Sequence, residues 1–123
     1  MPQPNLVILY VGNPLTSAAF YSELLDIEPV ESSPTFVMFA LESGAMLGLW
    51  SRNTVRPPAS MTGGGGELAF SVADAEAVRT MHAKWSKRGL MIAQAPIEME
   101  FGPTFVALDP DGHRLRVFAP TAP

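Results

Sequence analysis

The chain contains no cysteine. That removes disulfides, thiolate metal ligands and cysteine nucleophiles together, and it suits a reducing compartment. Basic runs are also missing: eight Lys and Arg stand against twelve Asp and Glu, for a net charge of −4. Nucleic acid and anionic membrane surfaces are therefore poor candidate partners. No apolar stretch approaches membrane-spanning length, and "MPQPN" carries no basic segment leading into an apolar one, so no signal peptide is expected. The expectation is a cytoplasmic protein. Histidine is scarce, with only His82 and His113, and neither has a spacing partner for metal binding or nucleophile activation. Both are expected in structural or surface roles.

What is present is apolar. Of 123 residues, 47% are hydrophobic and 16% charged, which favours one compact globular domain over disorder. A tetrapeptide, "PTFV", occurs twice, at Pro34–Val37 and at Pro103–Val106, 69 residues apart. Downstream, "GAMLGLW" from Gly44 lies against "GHRLRVF" from Gly112, 68 apart, and upstream "LYVGN" from Leu9 lies against "FSVAD" from Phe70, 61 apart. Three matches in one order indicate two related halves.

Each half has the same predicted order. "NLVILYV" reads as a strand, Asn13 caps a helix opening at Pro14, and three strands follow near 28–31, 35–41 and 45–50. In the second half "ELAFSV" is the strand and Asp74 the cap. The helix carries Val78, Met81 and Trp85 on one face and stops at Gly89. Its strands lie near 91–95, 104–108 and 113–118, the last two joined by the turn "DPDG". The module boundaries are 5–50 and 67–119, with a Pro/Gly-rich linker at 51–66. The predicted fold is α+β: two βαβββ modules forming a curved mixed sheet, helices on one face and a ligand cleft on the other.

Strand alternation separates two faces. Val7, Leu9, Val11, Leu47, Leu49, Leu68, Phe70, Val72, Leu115 and Val117 form an apolar set expected beneath the helices. The opposite set mixes aromatic, small and charged residues: Leu6, Ile8, Tyr10, Met46, Gly48, Trp50, Glu67, Ala69, Ser71, Arg114, Arg116 and Phe118. A ligand site has that composition.

"FYSELL" after a capped strand, and "FGPTFVALDPDGHRLRVF" at the end, resemble the vicinal-oxygen-chelate superfamily. That superfamily includes glyoxalase I, extradiol dioxygenases and bleomycin-resistance proteins. With "LYVGNPLTSAAFY" and "LGLWS", the chain is most similar to phenazine-antibiotic resistance proteins of the bleomycin-resistance type. The resemblance implies a homodimer, in some members formed by module exchange. It also places the metal-ligand positions of the metal-dependent members at Leu6, Gly48, Glu67 and Arg116. Only Glu67 offers a metal a donor there, so no metal site and no other cofactor is expected. A catalytic residue is not assigned.

The implied activity is non-enzymatic binding of a planar aromatic compound, such as a phenazine-like antibiotic, that confers resistance by sequestration. Trp50, Gly48, Tyr10, Phe39, Met46, Glu67, Phe101, Arg116 and Phe118 are the expected ligand contacts, while Phe36, Phe70 and Phe105 are expected in the core. Glu67 and Arg116 are expected to pair, or Arg116 to meet a ligand carboxylate. Two rivals stand beside this reading: a metal-dependent lyase, isomerase or dioxygenase, and a degenerate module kept for protein contact. One departure is Pro103, where the phenazine-resistance pattern places a basic residue after "FG".

Overall fold

The computed structural model describes residues 2–61 and 63–121. The element order is β1 (Leu6–Val11), α1 (Pro14–Leu25), β2 (Glu31–Ser32), β3 (Phe36–Ala40), β4 (Met46–Ser51), β5 (Glu67–Ser71), α2 (Ala75–Lys87), β6 (Met91–Met99), β7 (Gly102–Leu108) and β8 (Arg114–Phe118). This is βαβββ twice, in an α+β fold. Hydrogen bonds form two four-stranded mixed sheets, β1-β4-β3-β2 and β5-β8-β7-β6. The chain divides into two compact units between Gly63 and Gly64. Ser51 closes β4 and Val55 is fully buried. The start of the segment expected as linker is therefore part of the first unit, and Thr62 lies outside the described residues.

Helix ends follow the capping residues. The Asn13 side chain accepts hydrogen bonds from the Leu15 and Thr16 amides, with Pro14 opening α1 where no amide is needed. Asp74 caps α2 through the Ala77 amide at 2.8 Å. Gly89, at φ +88°, closes α2: its N–H donates to Ser86 O and that of Leu90 to Trp85 O, the paired bonds of a left-handed C-terminal cap. In α1 the left-handed position falls on Asp26, at φ 56°.

The two sheets share one register. Leu6 pairs with Met46 and Glu67 with Arg114, both in parallel ladders, while Phe36 pairs with Trp50 and Thr104 with Phe118 in antiparallel ones. The connecting turns match as well. Gly44 donates to Leu41 O and Gly112 to Asp109 O, both at 3.0 Å and both glycines at positive φ. These pairings equate Phe36 with Thr104 and Val37 with Phe105. The doubled "PTFV" therefore marks corresponding strands but sits one residue out of phase between them. A one-residue slip turns a side chain to the other face, so the two phenylalanines of the repeat have opposite fates.

On the helix side, Val11, Val37, Phe39, Leu47 and Leu49 are buried in the first unit, with Tyr21 of α1. In the second unit Phe105, Ala107, Leu115 and Val117 are buried with Val78 and Trp85 of α2. Trp85 meets Phe70 and Phe105 edge-on, both at 5.4 Å, and His82 meets Phe105 at 5.3 Å. Val7, assigned to the core by parity, is instead exposed, because β1 is an edge strand and α1 packs on β3 and β4. Strand β6 is the opposite edge of its sheet, with Pro96 inside a register irregularity between Gln94 and Ile97.

Candidate functional site

The face away from the helices is organised as rows of residues in register across the strands. In the first unit β4 lies between β1 and β3, so three rows form: Leu6–Met46–Ala40, Ile8–Gly48–Met38 and Tyr10–Trp50–Phe36. The last row is wholly aromatic. Tyr10 meets Trp50 edge-on at 6.5 Å and Phe36 does so from the other side at 6.1 Å. Edge-on packing uses the positive rim of one ring against the negative face of the next. The indole is thereby held between two neighbours.

Gly48 has a specific function in this arrangement. A Cβ built there would lie 2.9 Å from Phe36 Cζ and 3.5 Å from Ile8 Cγ1. The missing side chain thus leaves space that the Phe36 ring occupies. The sequence led us to expect Gly48 as a direct ligand contact and Phe36 in the core. The register places Phe36 instead on the aromatic row, half-buried, with its ring in the space beside Gly48. It likewise corrects Phe39, expected as a ligand contact. Phe39 pairs with Leu47, is fully buried and belongs to the helix-packed core.

In the second unit the corresponding rows are Glu67–Arg114–Leu108, Ala69–Arg116–Val106 and Ser71–Phe118–Thr104. The Arg116 guanidinium grips the Glu67 carboxylate with two bonds, Nε to Oε1 at 2.7 Å and Nη2 to Oε2 at 2.9 Å. Its Nη1 donates to Thr104 Oγ1 at 3.2 Å, and that hydroxyl donates to the Val117 carbonyl at 2.8 Å. Arg116 Cζ also lies 5.9 Å from the centre of the Phe101 ring, which meets Phe118 edge-on. The arginine is therefore fixed by a carboxylate, a buried hydroxyl and an aromatic face.

These contacts hold Glu67 below the usual carboxylate range. The hydrogen-bonded Arg116 is the largest cause, partial desolvation opposes it, and the charges of Arg116 and Arg114 add to the lowering. The same bond raises Arg116 further, against desolvation. Arg114 Nε stands 3.1 Å from Glu67 Oε2 but lacks the alignment of a hydrogen bond, so its link to the carboxylate is one of charge.

Neither unit offers a metal ion a set of donors at these positions: in the first, Leu6 and Gly48 have no side-chain donor, and in the second both Glu67 oxygens accept from Arg116, itself a cation. Among the described residues no cluster of three or more His, Asp or Glu stands elsewhere. His113 is buried beside the final turn, where its amide donates to Asp109 Oδ1 at 2.8 Å.

Two mixed sheets of this topology, each closed by one helix, are the fold of a recognised superfamily, and the sequence agrees. Residues 3–117 match the Glyoxalase/Bleomycin resistance protein/Dioxygenase superfamily, and the chain belongs to it. It is 31% identical over 117 residues to the phenazine antibiotic resistance protein EhpR of Enterobacter agglomerans, covering 93% of this chain and 89% of that one. It is also similar to an Agrobacterium tumefaciens protein solved in solution by NMR, at 55% identity and a TM-score of 0.92, covering 99% of this chain and 100% of that one. A glyoxalase-related enzyme from Fulvimarina pelagi shares the fold at 22% identity, with a TM-score of 0.83 over 97% of this chain and 88% of that one. Among the described residues no helix is long and apolar enough to cross a membrane.

Proposed function

We propose that this chain binds a small planar aromatic compound of the phenazine type and confers resistance by holding it, without turnover. The observation that carries the reading is the aromatic row Tyr10–Trp50–Phe36, an indole buttressed edge-on from both sides on the face away from the helices. A ring stacked on that indole gains roughly 0.5–1.5 kcal/mol beyond its buried area. Similarity to a phenazine resistance protein supports the same ligand class. Met46 is a further contact in this proposal, and Gly48 acts indirectly by seating Phe36. Sequestration depends on affinity and protein concentration alone, so a site without a catalytic group suffices.

The test is a titration of tryptophan fluorescence with phenazine, using Trp50→Phe to isolate the signal from Trp85. Saturable quenching at a stoichiometry of about one per chain, lost in the variant, is the expected result. A response that survives in Trp50→Phe refutes the reading. The rival, a metal-dependent lyase, isomerase or dioxygenase, predicts near-stoichiometric Zn, Ni, Mn or Fe in protein purified without chelator. The proposal includes a homodimer, and a light-scattering mass equal to one chain at micromolar concentration removes that part.

A further inference from the structure

The backbone of Gly48 does not itself demand glycine. The positive-φ glycines among the described residues are Gly44, Gly64, Gly89, Gly102 and Gly112, so Gly48 has a strand conformation open to any L residue. The demand comes from across the sheet, where Phe36 Cζ and Cε1 would stand 2.9 and 3.2 Å from an added Cβ. The direct partner of Gly48 on β3 is Met38, and Phe36 is the diagonal neighbour two residues away, within the reach of an aromatic ring. The backbone beneath that ring is pinned. Phe36 N–H donates to Ser33 Oγ at 3.1 Å, and its carbonyl accepts from Ser33 N–H at 2.9 Å and from Ser33 Oγ at 3.1 Å. The ring therefore changes position by side-chain rotation alone. Trp50 lies one row along β4 from Gly48, about 7 Å away. With the Phe36 ring gone, the Gly48 backbone would prolong the Trp50 surface as an uncharged floor between Ile8 and Met38. With the ring in place, that floor ends at the indole.

We infer that Phe36 determines the size of ring system the first unit accepts, by plugging the strip over Gly48 that a longer ligand would need. The inference rests on the reading that a planar aromatic compound binds at the Trp50 row, and it narrows that class to fused systems of phenazine size. A ring fused on the side toward Gly48 would meet the Phe36 ring, whose pinned backbone cannot give way. Selectivity then comes from a clash built against the larger compound rather than from an added attraction to the smaller one. The plug is also portable. Because the Gly48 backbone tolerates a side chain, the same space can be filled from β4 once the Phe36 ring is removed from β3.

Three uncharged probes test this: phenazine, benzo[a]phenazine with one more fused ring, and benzene. The intact protein binds phenazine about tenfold tighter than benzo[a]phenazine, because the added ring overpacks against Phe36. In Phe36→Ala that preference falls below about twofold or reverses. Combining Phe36→Ala with Gly48→Leu rebuilds the plug from the other strand and restores a preference of about fivefold or more. Benzene shifts the Gly48 amide NMR signal in Phe36→Ala and leaves it unmoved in the intact protein. Should Phe36→Ala not fold, Phe36→Val carries the same comparisons with a strand-forming residue. Equal affinity for the two phenazines in the intact protein overturns the inference and leaves the binding function standing. A preference that survives in the folded single variant also overturns it. If no phenazine binds while benzene moves Gly48 in that variant alone, the plugged strip holds and the phenazine reading fails. A Gly48 signal unmoved by benzene in the folded variant overturns the strip itself.

Discussion

Replacing Glu67 by Gln keeps the shape of the side chain and removes its charge. Two aligned bonds of 2.7 and 2.9 Å are weakened, and two guanidiniums are left on one face without a counter-ion. Hydrogen bonds to charged groups contribute about 1.5–3 kcal/mol when buried, but exposed pairs contribute only about 0.2–1. With Arg116 mostly enclosed and Glu67 partly solvated, a loss of about 1–2 kcal/mol is expected, or roughly 4–8 °C in Tm for a chain of this size. The assay is a double-mutant cycle with Arg116→Met, read by urea denaturation. A coupling near 1 kcal/mol is expected, and one below about 0.3 kcal/mol refutes the pairing argument. The pH dependence supplies a second check. The folded carboxyl titrates below its ordinary value of 4.5, so the pair's stabilisation is complete above that value and fades as pH falls through the lower folded one. The stability gap between the parent and Glu67→Gln should therefore be flat above pH 4.5 and narrow below it. A gap that widens on acidification contradicts the assigned sign.

Gly102→Ala should be the most damaging small substitution. Gly102 sits at φ +132°, a Cβ there would fall 2.0 Å from Ala119 O, and a loss of about 3 kcal/mol or failure to fold soluble protein is expected by calorimetry. Gly48→Ala should fold, since the obstacle is the far end of the Phe36 side chain, but the displaced ring should change Trp50 emission and weaken phenazine binding several-fold. Asp26→Gly relieves a left-handed residue at the end of α1 and should raise stability by about 0.5–1 kcal/mol in urea denaturation.

Much of the fold was legible because its signals are local. Asn13, Asp74 and Gly89 mark helix ends by chemistry that involves only a few neighbouring residues, and the structure keeps all three. The two-face separation also held for most strand residues, since it depends only on alternation along each strand. The errors arose where one strand had to be placed against another. Phe36 and Phe105 occupy the same place in the letters of "PTFV" and both were expected in the core; pairing equates Phe36 with Thr104 instead, which turns Phe36 to the other face. Phe39 failed for a related reason, because no parity was assigned to its strand. Spacing within the β3–β4 hairpin carried the missing information. Phe36 and Trp50 flank the turn at equal distances from its centre, which is the condition for cross-strand partners.

That correction bears on how the two modules divide their chemistry. Their backbones repeat one register, yet corresponding positions differ in kind: Leu6 against Glu67, Met46 against Arg114, Gly48 against Arg116, Tyr10 against Ser71 and Phe36 against Thr104. In the first module every substitution of this set is neutral, and the vacancy at Gly48 seats a ring. In the second the same positions hold three charges, together with a hydroxyl that orients one of them. A symmetric metal site would need like donors at matched positions of both copies. Here duplication has instead left one module suited to stacking and the other to charge.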